Sequence, residues 1–153
     1  MDVDGVISLF GFPPVKRPDG AFHTVDGIPH LLSHTAGALL RELAPAFEVV
    51  WCTGWEDKAD EYLPAALNLP DRWPFLRFGG SPGSPRHWKL HAIEAHAGDR
   101  RPLAWIDDDH GGCEDWARGR PGETLLLTTD PAVGITAAHV QRLLAWAASV
   151  SGD

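Results

Sequence analysis

The sequence holds only two cysteines, Cys52 and Cys113, and they show no metal-ligand spacing. Two reduced thiols in a cytosolic protein are the expectation, rather than a disulfide framework. The eight histidines are scattered and do not group with either cysteine, which leaves a zinc site without support. No apolar run approaches the roughly 18 to 20 residues of a membrane span, and no basic-then-apolar leader opens the chain. Neither export nor a membrane partner is expected, and the expected compartment is the cytoplasm. Positive charge is also short. The formal charge of −8 disfavours loose binding to polynucleotide, which relies on Lys and Arg to release counterions, although a local basic groove is compatible with it.

No internal repeat or low-complexity linker divides the 153 residues, and the length fits a single domain spanning 1–153. The 44% hydrophobic and 22% charged contents are those of an ordinary globular chain. After "GFPPVKRPDG", too rich in Gly and Pro for regular structure, Asp26-Gly27 stands between two short runs and predicts a tight hairpin. Ser33 is placed to cap a helix with Ala36, Leu39, Leu40 and Leu43 on one face, ending near Pro45. "FEVVWC", "PFLRFGG", "PLAWID" and "TLLLTTD" read as strands. Between them lie helical segments at "EDKADEYLPAALNLP", from Ser84 or Pro85 to about Ala97, and around Glu114 to Ala117. Thr136 caps a last helix with Val140, Leu143, Leu144 and Ala147 facing inward.

Apolar strands alternating with helices predict an α/β fold with a parallel sheet covered on both faces. Ligands of such sheets sit beyond the carboxyl ends of the strands. Thr53 follows the strand ending at Cys52, and Asp107, Asp108 and Asp109 follow the strand ending at Ile106. Asp2 and Asp4 occupy the same place if a strand precedes them. Spaced two apart in an extended chain, the pair would point one way. A calcium loop is excluded, because Pro13 stands at position twelve, where a carboxylate is required.

Taken in order, "DVDGV", "VVWCTG", "WKL" and "WIDDD" resemble the motif set of the haloacid dehalogenase (HAD) superfamily, over nearly the whole chain. A receiver domain uses similar residues but places its paired acids before the Thr and Lys. A true dehalogenase lacks the second acid, Asp4. The resemblance implies a three-layer Rossmann-like domain and magnesium-dependent phosphate-ester hydrolysis. It makes Asp2 the nucleophile forming an aspartyl-phosphate, and Asp4 the general acid and base. Thr53 and the Gly54 amide would hold phosphate oxygens, and Lys89 would offset charge on nucleophile and phosphate. Asp2, Asp4 through its carbonyl, and Asp108 would hold Mg2+ with Asp107 in support; which of Asp107, Asp108 and Asp109 touches the metal varies in this motif.

The intervals Gly5–Ser33 and Gly54–Trp88 leave room for only a small hairpin flap and for one helix with one strand. A capless, open site is therefore expected, suited to a large phosphorylated substrate such as a nucleic-acid end. More loosely, the chain resembles HAD domains associated with RNA repair. Trp55 and Trp88 flank the phosphate groups, where they either stack a base or pack the loop on the sheet. Arg77 and Arg86 stand near the expected mouth.

The resemblance also implies four to five apolar residues ahead of Asp2, forming the central strand, where this sequence has only Met1. At roughly 1.5 to 3 kcal/mol per buried side chain, their loss forfeits on the order of 5 to 10 kcal/mol. That is comparable to the whole stability of a domain, about 5 to 15 kcal/mol. The first central strand is expected to be truncated here, with the natural chain starting several residues upstream. The alternative is a catalytically silent member that keeps the fold as a binding module.

Overall fold

The computed structural model describes residues 1–79 and 87–152. Its centre is a parallel sheet. Strand β4 (Leu103–Asp107) pairs in parallel with β5 (Thr124–Thr128), with Ile106 opposite Leu127. On the other side of β4 the Asp2 N–H donates to the Ile106 carbonyl at 2.9 Å. The Met1 ammonium donates to the Val50 carbonyl at 2.8 Å, and the Cys52 N–H donates to the Met1 carbonyl at 2.7 Å. Trp51 then bridges to Phe75 in parallel. The sheet order is therefore Phe75, Trp51–Cys52, Met1–Asp2, β4, β5. The central strand exists, as a stub of two residues.

Side-chain alternation sends the two faces of this sheet into two apolar clusters. Trp51, Ile106 and Leu127 meet α1 (Ala36–Leu43), α2 (Asp57–Ala66) and α5 (Ala137–Val150) through Leu40, Leu63 and Leu143. Cys52 and Trp105 meet α3 (Leu90–Ala97) through Leu90 and Ile93, and Cys113 ahead of α4 (Glu114–Gly119). Helices thus cover both faces, as the sequence pattern requires. No described helix is long and apolar enough to cross a membrane.

The flap is larger than the expected hairpin. Strand β2 (Gly20–Val25) pairs antiparallel with β3 (Ile28–Ser33) around the Asp26-Gly27 turn, where both residues have positive φ, as such two-residue turns need. A third strand, β1 (Ser8–Leu9), adds to the far side of β3. Among the described residues neither interval carries a cap domain. Helix α1 is flanked by Thr35 rather than Ser33, whose hydroxyl lies 3.1 Å from that of Thr35. Helix α3 begins at Leu90; Ser84 and Pro85, the expected start, lie outside the described residues. Thr136 caps α5 as expected, and the His139 ring accepts from the Thr136 N–H to close the box.

"FEVVWC" forms less strand than its composition suggests. Only its end, Trp51–Cys52, is buried and paired on both sides, while Val49 and Val50 are half-exposed. The reason lies behind Met1. A cavity of about 290 Å³ opens there, lined by Met1, Val49, Val50, Leu103, Ala104 and Trp146 among others. Asp107 and Leu103 spend their backbone groups on β5, so parallel alternation turns Ala104 and the Ile106 N–H toward this cavity. It has the walls and the polar edges of a strand slot. Burial within it also lowers the pKa of the Met1 ammonium.

A variant with four apolar residues added before Met1 should seat them in this slot. At roughly 1.5–3 kcal/mol per buried side chain and about 2–4 °C per kcal/mol for this size, calorimetry should show a Tm rise of about 10 °C or more. A Gly/Ser/Asp extension of equal length should give no gain.

Candidate active site

Three neighbouring strand ends converge at the carboxyl edge of the sheet. Asp2 ends the stub, Thr53 follows Trp51–Cys52, and Asp107 ends β4. Lys89, at the N-terminal boundary of α3, reaches across them. Its ammonium lies 2.6 Å from Asp2 Oδ2 and 2.7 Å from Asp107 Oδ2, and all three residues are buried. The Trp105 indole N–H donates to the same Asp107 oxygen at 2.8 Å, from two residues earlier on the same strand. Asp2 Oδ1 accepts from the Val3 N–H at 2.7 Å.

Charge in this buried place responds to two opposed forces, desolvation and pairing. Burial pushes the Asp2 carboxyl up to about 6, against the pull of Lys89. For Asp107 burial acts upward as well, but the Lys89 charge and the hydrogen bonds from Lys89 and Trp105 outweigh it, and its pKa is lowered. Burial alone would favour neutral Lys89; Asp2 and Asp107 overcome it and raise its pKa. Asp108 is raised, by burial first and then by the Asp107 charge.

Carboxylate oxygens of Asp2, Asp107 and Asp108 all lie within 4.8 Å of one another. Three hard oxygen donors against one ammonium fit a divalent cation with a preference for carboxylate and water, which is the chemistry of Mg2+. Asp109 is turned into its own loop: its Oδ1 accepts from the Gly111 N–H at 2.8 Å. Histidines four apart, His30/His34 and His87/His91, make no metal group among the described residues; His34 instead meets Asp19 at 2.9 Å. Gly5 is required beside Asp108, since it has φ +73° and an added Cβ would stand 2.6 Å from the Asp108 side chain.

The chain does not continue as an extended strand from Asp2 to Asp4. The Val3 carbonyl accepts from the N–H groups of Val6, Ile7 and Ser8, so a tight turn, rather than strand alternation, sets the placement of Asp4. The turn is clamped from the far end of the sequence: the Thr129 hydroxyl donates to the Gly5 carbonyl at 2.8 Å, and the Ile135 N–H to the Val6 carbonyl at 2.8 Å. Asp4 lies outside the group of three carboxylates. The Trp55 indole N–H donates to its Oδ2 at 3.0 Å, and His30 Nδ1 stands 3.6 Å from its Oδ1. Thr53 is fully buried, with its hydroxyl accepting from the Trp55 N–H at 3.4 Å, and the next residue, Gly54, is exposed.

Asp2, Asp4, Thr53, Lys89, Asp107 and Asp108 thus lie at one edge of the sheet; Arg77 Nη1 stands 3.9 Å from Glu56 Oε2, and Arg86 lies outside the described residues. Trp55, His30, Trp105 and Thr129 were not assigned these contacts. Trp105 alone had a local signal, because it lies two residues before Asp107 on a strand and so shares its face.

A protein-family model described as the HAD domain in Swiss Army Knife RNA repair proteins matches residues 1–140. No curated protein and no solved structure matches the chain.

Lys89→Met should leave two buried carboxylates without their cation, costing about 3–5 kcal/mol in urea unfolding. Adding Asp107→Asn should restore part of that loss, so that the two substitutions are strongly non-additive. Additive losses would mean that Lys89 and Asp107 are not coupled.

Proposed function

The chain belongs to the HAD domain family of Swiss Army Knife RNA repair proteins, and from that premise we propose that it is a single-domain, magnesium-dependent phosphohydrolase acting on a phosphate monoester through an aspartyl-phosphate. Family membership supports HAD-type hydrolysis at the superfamily level. The observation that carries the finer reading is the buried Lys89 ammonium bridging Asp2 and Asp107, with Asp108 alongside. A cation, a carboxylate suited to nucleophilic attack and a set of metal-type donors within one small volume support this reading.

In this reading Asp2 attacks the phosphorus and the bond to the leaving oxygen breaks. Asp4 gives that oxygen its proton. Asp4 then accepts a proton from water, whose oxygen attacks the aspartyl-phosphate at phosphorus, releasing phosphate and regenerating Asp2. The Thr53 hydroxyl and Gly54 N–H hold the phosphate oxygens, and Lys89 balances the charge that accumulates on them. The Trp55 hydrogen bond positions the Asp4 carboxylate. Asp2 and Asp108, with the Asp4 carbonyl and support from Asp107, would hold Mg2+, which when bound neutralises carboxylate and phosphate charge.

The absence of a cap domain among the described residues supports a substrate presented to an open edge, and the RNA-repair family points to a phosphorylated nucleic-acid end. A net charge of −8 makes that end, rather than a long polynucleotide track, the recognised part. A second reading has one observation in its favour. Asp2 stands on a two-residue stub with a cavity behind it, and a nucleophile displaced by about an ångström loses on the order of 100-fold in rate. A silent binding module would result.

Hydrolysis of p-nitrophenyl phosphate separates the two readings. The hydrolase should turn over with Mg2+, stop on chelation with EDTA, and lose at least about 1,000-fold in Asp2→Asn, as expected when a covalent step is removed. No turnover by the chain, with or without the apolar extension before Met1, would establish the silent module.

A further inference from the structure

We infer that Trp88 is the base platform of this site, so that the phosphate ester is carried by a nucleoside whose base lies on the indole. The inference rests on the hydrolase reading for the position of the phosphate. Trp88 is the one exposed tryptophan of the seven, at 48% of its surface. A large aromatic ring left open to water is unfavourable unless something covers it.

Its place in the site is specific. The Lys89 ammonium, 2.6 Å from Asp2, lies 5.1 Å from the centre of the Trp88 ring. A Cβ placed on Gly54, in the proposed phosphate loop, would stand 3.8 Å from the same ring. The ring therefore borders both groups assigned to the phosphate. Phe78 abuts it edge-on with centroids 4.6 Å apart, and His87 lies nearly parallel to it at 6.0 Å. These neighbours hold the indole in place before any ligand arrives, which lowers the ordering cost of stacking.

Trp55, the other tryptophan beside the phosphate groups, is already committed. Its N–H is spent on Asp4, and its ring lies 4.4 Å from that of His30. The two tryptophans divide the work. Trp55 positions Asp4, and Trp88 offers a π-face to the substrate. A flat, sequence-tolerant aromatic contact beside a phosphate pocket selects a base without reading its identity. Sugar phosphates and phosphoserine peptides have no ring to place there.

The test uses paired ligands differing only in the base: a nucleoside monophosphate and ribose phosphate. In turnover, the chain should prefer the base-bearing ester by about 10- to 100-fold in kcat/KM, the span of one stacking contact. Trp88→Leu should bring that ratio toward one, and Trp88→Phe should keep most of it. An unchanged ratio in Trp88→Leu would overturn the inference, as would the absence of any preference in the parent chain. Binding of the same pair to Asp2→Asn, by calorimetry, reads the platform without turnover. If no ester is hydrolysed but Asp2→Asn prefers the base-bearing ligand in a Trp88-dependent way, the platform stands and the hydrolase reading falls. If a phosphotyrosine peptide binds Trp88 better than the nucleotide does, the substrate is protein and the inference fails.

Discussion

The buried ammonium of Lys89, between Asp2 and Asp107, ties the start of α3 to two neighbouring strand ends of the sheet. A charge withdrawn from water is costly unless it is paired and hydrogen-bonded. Here the cation meets two carboxylates, one of which also takes the Trp105 N–H. The arrangement fixes the start of α3 against the sheet edge, and with it the adjacent Trp88. Three carboxylates against one ammonium suit a divalent ion, while burial first, and the Asp107 charge after it, push Asp2 and Asp108 upward.

The support beneath that cluster comes from backbone rather than from side chains. Met1 and Asp2 make three ladder bonds to their two neighbours, to Val50, from Cys52 and to Ile106, and then the chain turns. Those bonds set the register of the nucleophile candidate to the strand on either side. Behind Met1 lies the cavity, and Val49, Val50, Leu103 and Ala104, which line it, are only half-buried.

Much of this was legible before any coordinates. The short continuous apolar runs in "PLAWID" and "TLLLTTD" placed β4 and β5, because runs of that length between breaks fit strands buried on both faces. Asp26-Gly27 placed the hairpin, since few other pairs accept positive φ at two successive positions. The Thr136 cap followed from its hydroxyl alone. Less was legible around the flap. β1 is two residues long, too short to have a periodicity, and it forms because β3 offers it an edge. "FEVVWC" misled for the complementary reason: strand propensity is realised only where a partner exists, and Met1 reaches only Val50 and Cys52 at its end.

By itself the sequence determined the fold class and the edge where the candidate residues gather, because short apolar runs between helical segments mark the strands and the polar residues directly follow them. It also fixed the identity of the carboxylates, threonine and lysine available there. Only the tertiary structure decided their partners. Trp55 reaches Asp4 across 51 positions, and Thr129 clamps Gly5 across 124. Such contacts depend on which strands become neighbours after the helical crossovers, and on the path of each turn. No local pattern encodes either, since hydrogen bonds act over about 3 Å, whatever the separation along the chain.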